Sequence, residues 1–220
     1  MTEWTIRVAK LGGSLLDLDD LPARIESWLG DEGPAKTVLV VGGGPLVRML
    51  QSWSARRDWS EERTHWAAIE MMGVNATRVS RLVESWQLAG SLQEVIDSES
   101  QLVVLDVEST LRGMETGGDT RLPSSWEVTS DSIAARVAVE LGAGELVLLK
   151  SISAGTEDLR GLAAQGVVDR YFPRAAEELR VRIVNLRESD PLSSTRSSCP
   201  GRTGPLSCGR PGLTDRQPSC

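Results

Sequence analysis

Residues 37–41 (T-V-L-V-V) run without a charged residue straight into Gly42-Gly43-Gly44-Pro45. A run of this kind is short, apolar on both alternating faces and ended by a turn signal. It reads as a strand buried on both sides, which a parallel sheet with helices on each face provides. The same pattern recurs along the chain. Residues 5–11, 101–107, 145–149 and 181–186 read as further strands. Residues 20–29, 46–57, 61–86, 132–141 and 157–164 read as helices, the long 61–86 stretch interrupted near Gly73. In residues 132–141, Ile133, Val137 and Leu141 share one face, with Ala134 and Ala138 beside them. Strands alternating with helices predict an α/β fold, a three-layer αβα sandwich around a mainly parallel sheet. Ligands of such sheets gather at the carboxyl ends of the strands.

From about residue 188 the composition shifts to Ser, Pro, Gly, Arg and Thr, and apolar periodicity stops. Such a segment buries too little apolar surface to offset its ordering entropy. The expected organisation is one domain over residues 1–187 and a disordered tail over 188–220. The three cysteines, Cys199, Cys208 and Cys220, all lie in that tail, so no disulfide frame or CxxC metal site is expected in the body. The single histidine, His65, rules out a site needing several His ligands from this chain. A net charge of −7 disfavours nucleic acid and anionic membrane as partners. No apolar run approaches the roughly 18–20 residues that span a bilayer, and Met1-Thr2-Glu3-Trp4 lacks signal-peptide character, so the expected location is the cytoplasm.

Four loops at strand ends carry candidate chemistry. Lys10-Leu11-Gly12-Gly13-Ser14 places an ammonium and an open backbone after the first strand. Glycine lets N–H groups approach a phosphate without a Cβ in the way. Gly42-Gly43-Gly44 opens a helix and offers a second nest of donors. Val47 stands where a dinucleotide fingerprint needs Gly or Ala, and no Walker A pattern occurs. Thr129-Ser130-Asp131 precedes a helix, with more capping residues than one helix start uses. Lys150 ends a strand and is followed by Ser151. Each loop alone also reads as a turn, a cap or a solvated lysine. Gathered at one sheet edge, they form the equipment of phosphoryl transfer, which rests on positioning and charge neutralisation. No GxSxG or body cysteine competes.

On these residues the chain resembles the amino-acid kinase superfamily, which includes acetylglutamate, aspartate, uridylate and carbamate kinases. The carriers are K-L-G-G-S (10–14), V-V-G-G-G (40–44), T-S-D-S-I-A-A (129–135) and E-L-V-L-L-K-S (145–151). The resemblance implies catalytic roles for Lys10, Asp131 and Lys150. It implies nucleotide binding by Lys10, Gly12, Gly13, Ser14, Lys150 and Ser151. It also implies acceptor binding by Gly42, Gly43, Gly44, Thr129 and Ser130. ATP with Mg²⁺ would be the phosphoryl donor, and self-association would be expected. The strings 64–72 (T-H-W-A-A-I-E-M-M), 122–135 (L-P-S-S-W-E-V-T-S-D-S-I-A-A) and 168–174 (V-D-R-Y-F-P-R) are similar to a small branch related to a kinase of methanofuran biosynthesis. That branch implies an aminomethylfuran phosphate acceptor and one-carbon metabolism. Only this narrower resemblance implies that His65 faces the acceptor pocket, a packed or surface histidine being the plain alternative. The alternatives are a carboxylate acceptor, a non-catalytic ligand-binding module, or an interaction protein whose seven Trp residues meet a partner.

Overall fold

A computed structural model describes residues 5–115, 122–154 and 158–188. The tail from residue 189, its three cysteines and the expected helix start at Glu157 lie outside the described residues.

Among the described residues six strands form one parallel sheet. They are β1 (Ile6–Leu11), β2 (Lys36–Val41), β3 (Gln87–Ala89), β4 (Leu102–Leu105), β5 (Glu145–Lys150) and β6 (Val181–Asn185), in spatial order β3-β4-β2-β1-β5-β6. The chain moves outward from β1 through β2, and later returns to the other side of β1 with β5. The crevice between β1 and β5 is therefore a point of strand-order reversal, where open α/β sheets bind ligands.

Strand periodicity explains the layers. Val8, Val38, Val40, Leu146 and Leu148 point to one face, against Ile133 and Val137 of α6 (Ser130–Glu140) and Phe172 of the short α8 (Phe172–Ala175). Ala9, Leu11, Leu39, Val147 and Leu149 point to the other, against Leu21, Ile25 and Trp28 of α1 (Leu21–Asp31). All of these residues are buried. Both faces of the sheet are covered, the three-layer sandwich expected from the sequence. Alternation also sends Lys10 to the α6 face, because it follows Val8 by two residues.

The remaining helices are α2 (Gly44–Arg57), α3 (Glu61–Ser80), α4 (Leu92–Asp97), α5 (Val107–Glu115) and α7 (Leu159–Ala164). The helix expected over 61–86 differs in two ways. It runs unbroken through Gly73 and stops at Ser80, so Trp86 precedes β3 instead of ending a helix. Gly73 is not a hinge. It admits a close neighbour, since a Cβ there would lie 2.8 Å from Asp106 Oδ1. The strand expected over 101–107 ends at Leu105, because Asp106 turns the chain into α5 by accepting from the Glu108 N–H at 3.1 Å. Among the described residues no helix is long and apolar enough to cross a membrane.

Candidate active site

Lys10 and Lys150 reach the carboxyl edge on adjacent strands. Lys10 pairs in register with Leu148, and Leu11 with Leu149. Asp131 enters from above, as the second residue of α6. Its Oδ1 lies 2.9 Å from Lys10 Nζ, and its two oxygens each lie 2.8 Å from Lys150 Nζ. Lys10 and Asp131 are 5% and 4% exposed. Two ammonium groups thus share one carboxylate in a site nearly closed to water, and the trio keeps a net positive charge.

The electrostatics follow from that sharing. Burial alone would raise the Asp131 pKa. The charges of Lys10 and then Lys150, with their hydrogen bonds, outweigh burial and hold the carboxyl below its ordinary range. Burial and then the like charge of Lys10 push Lys150 down to about 8, against the opposing pull of Asp131.

The glycine loops close around this trio. Gly12 N–H donates to Leu149 O at 2.8 Å, and Gly42 N–H to Leu11 O at 2.9 Å, so both loops are tied to neighbouring strand ends. The Ser14 and Ser151 hydroxyls are 2.9 Å apart and join the β1 and β5 loops. Beside them lies a cavity of about 240 Å³. Of the residues expected to meet the acceptor, Gly43, Gly44, His65, Thr129 and Ser130 line it, together with Gly13 and Ser14. Gly42 does not line it. It sits behind, where a Cβ would come within 3.2 Å of Ser130 Oγ. Ile69, Met72, Val128 and Ile133 supply apolar walls.

Several site residues carried no signal in the sequence. Arg48, one α2 turn after Gly44, and Gln51 line the cavity. The buried Asn75 amide on α3 donates to the carbonyls of both Gly42 and Gly43 at 3.0 Å. Arg187, just past β6, donates to Ser14 O at 2.8 Å. A polar residue mid-helix and an arginine after a strand are ordinary on a protein surface, and only the fold shows what they touch.

The capping reading of residues 129–131 also changes. Thr129 is the N-cap of α6 but makes no side-chain cap hydrogen bond. Its hydroxyl donates instead to Asp169 Oδ2 at 2.8 Å.

These donors do not fit a protein-held Mg²⁺. Both Asp131 oxygens are engaged by ammonium groups, and among the described residues no group of three His, Cys, Asp or Glu could hold a metal ion.

The solved structures similar to this one include UMP kinase from Bacillus anthracis, at 14% identity and a TM-score of 0.56, covering 84% of this chain and 88% of that one. UMP kinase from Ureaplasma parvum matches at 14% identity and a TM-score of 0.60, covering 84% and 92%. Uridylate kinase from Archaeoglobus fulgidus matches at 17% identity and a TM-score of 0.57, covering 82% and 90%. At these identities the likeness is one of fold. No curated protein matches the sequence. The model of the amino acid kinase family matches residues 5–154, a span holding the whole Lys10–Asp131–Lys150 trio and both glycine loops. The chain belongs to the amino acid kinase family.

Proposed function

We propose that this protein is an ATP-dependent small-molecule kinase whose acceptor is an anion, most simply a phosphomonoester. The observation that carries the reading is the sharing of Asp131 by Lys10 and Lys150 at the carboxyl ends of β1 and β5. A buried carboxylate that fixes two cations gives a rigid positive centre, which suits the charge that develops on a transferring phosphoryl group.

In this reading Lys10 neutralises the moving phosphoryl group and Lys150 supplies a second positive charge. Asp131 orients both. The backbones of Gly12 and Gly13, with Ser14 and Ser151, hold the nucleotide phosphates. Gly43 and Gly44 face the acceptor and the phosphoryl group, while Gly42 supports them from behind. An acceptor oxygen attacks the γ-phosphorus of ATP, the bond to the bridging oxygen breaks, and ADP leaves. A phosphomonoester acceptor becomes a diphosphate. Mg²⁺ enters bound to the nucleotide, as part of the substrate.

The cavity supports an anionic acceptor. Among the described residues its lining includes Arg48 and no Asp or Glu. Thr129, Ser130 and His65 add polar contacts along an otherwise apolar wall. Aminomethylfuran phosphate is the acceptor suggested by the sequence strings at 64–72 and 122–135, within one-carbon cofactor synthesis. UMP is a second phosphomonoester to test, because the solved relatives are UMP kinases.

The test is product analysis by mass spectrometry. The protein is incubated with ATP and Mg²⁺ plus aminomethylfuran phosphate, UMP, or a panel of amino-acid carboxylates. A diphosphate product with stoichiometric ADP supports the reading. An acyl phosphate moves the acceptor to the carboxylate class. ATP binding by calorimetry with no ADP from any acceptor overturns it in favour of a ligand-binding module. Self-association belongs to the same proposal and is read from the solution mass.

A further inference from the structure

Asp169 lies between α7 and α8, far from Asp131 in sequence and outside the trio. Its carboxylate nevertheless collects five donors, four of them at the start of α6. Oδ2 accepts from Thr129 N–H at 2.9 Å, Thr129 Oγ1 at 2.8 Å and Ser132 N–H at 3.0 Å. Oδ1 accepts from Ser132 Oγ and from Phe172 N–H, the latter at 2.8 Å. The same turn is stitched a second time by Tyr171 N–H donating to Glu127 O at 3.1 Å.

A helix start leaves backbone N–H groups without partners, and the usual remedy is a side chain at the helix's own N-cap. Here Thr129, Ser130 and Asp131 could all serve, yet the cap comes from a residue 40 positions away from Thr129. An aspartate in the first helical turn can fold back onto those N–H groups, because short polar side chains compete for nearby backbone. With Thr129 N–H and Ser132 N–H already bonded to Asp169, those two donors no longer compete for the Asp131 carboxylate. The Asp131 carboxylate bonds the two lysines, and Thr129 and Ser132 on either side of it are held by four hydrogen bonds to Asp169.

We propose that Asp169 is a positioning residue. By taking the donors at the N-terminus of α6, it sets the place from which Asp131 meets Lys10 and Lys150. The turnover readout of this proposal rests on the kinase reading above, while its structural readout does not.

The experiment compares Asp169→Asn with the milder Ser132→Ala, which removes one of the five hydrogen bonds. Glu145→Gln is the control for general destabilisation, since Glu145 opens β5 at the opposite edge and pairs with Arg7 and Arg182. Lys150 is titrated by NMR of side-chain-labelled lysine, and turnover is measured on the same samples. Lys150 faces Asp131, which raises its pKa, and Lys10, which lowers it. A displaced Asp131 therefore moves the Lys150 midpoint below about 8. In Asp169→Asn the expected result is that downward shift with turnover reduced roughly 10²-fold, as for a misplaced catalytic group. Ser132→Ala shifts both in the same direction by less. Glu145→Gln lowers the melting temperature and moves neither. Folded variants with wild-type Lys150 titration overturn the proposal and leave Asp169 a structural cap. If Asp169→Asn does not fold, Ser132→Ala decides by the same criterion. If the wild-type protein transfers no phosphoryl group, the kinase reading fails and the Lys150 titration alone decides the role of Asp169.

Discussion

The backbones of Gly13 and Gly44 are in contact, so neither position has room for a side chain. A Cβ on Gly13 would overlap Gly44 N and Cα, and one on Gly44 would lie 2.7 Å from Gly13 O. Gly44 also holds φ at +55°, where other residues are strained. The loops after β1 and β2 therefore pack as one unit lining the cavity. Gly13→Ala should cost about 1–3 kcal/mol of stability, as overpacking does, and should depress turnover. Gly30→Ala, with open space around it inside α1, should gain about 0.5–1 kcal/mol and leave turnover unchanged. Urea denaturation and steady-state assays check both. Equal behaviour of the two variants would refute the contact.

Removing one lysine and removing the carboxylate should have different consequences. Lys10→Ala leaves Asp131 paired with Lys150, so the fold should persist while turnover falls by about 10²–10³-fold. Asp131→Ala strands two ammonium groups in a buried site and should also cost about 3–5 kcal/mol of stability. Circular dichroism melts beside turnover measurements separate the outcomes. A Lys10→Ala variant with wild-type turnover removes that lysine from the chemistry.

Activity should decline on an alkaline limb centred near pH 8, where Lys150 loses its proton. This is not a prediction of unfolding. The Lys150 pKa is lower folded than its ordinary value of 10.5, so between about 8 and 10.5 the unfolded chain binds more protons than the folded one. This group's contribution to stability therefore rises with pH across that window. Asp131 follows the same sign at the acid end: its folded pKa is depressed, so its stabilisation is present above the ordinary carboxylate range and is lost as pH falls through the folded value. Turnover and melting temperature measured together across pH 6–10 test this, and parallel loss of both above pH 8 would contradict it.

Asn75→Ala should damage acceptor use more than nucleotide use. The amide is buried and bonds two successive carbonyls of the Gly42–Gly43 turn. Its loss removes the donor to Gly42 O and leaves Gly43 O only the longer 3.4 Å bond from Val47 N–H, at a cost of about 1–3 kcal/mol, and loosens the loop that faces the cavity. The expected signature is a raised KM for the acceptor with a smaller change in KM for ATP. An unchanged acceptor KM would show that the loop holds its shape without Asn75.

The fold and the loops of the candidate site were legible because they are local patterns. Residues 37–41 are apolar on both faces and can only be buried on both, and β1, β2 and β5 end at glycines or a lysine that announce themselves in adjacent letters. The meeting of Lys10 and Lys150 on Asp131 agrees with the expectation that these loops gather at one sheet edge, whereas the strand order that makes β1 and β5 neighbours comes from the tertiary structure. Local pattern misjudged Gly73, because its need for a glycine arises from Asp106, 33 residues away. It likewise offered a local cap among Thr129, Ser130 and Asp131 as the plain alternative, whereas Asp169 bonds the N–H groups at the start of α6. Periodicity and turn chemistry act between near neighbours and are written in consecutive residues. Close approach and hydrogen-bond supply act between segments brought together by the sheet, so Asn75, Arg48 and Asp169 acquire their places only once the tertiary fold exists.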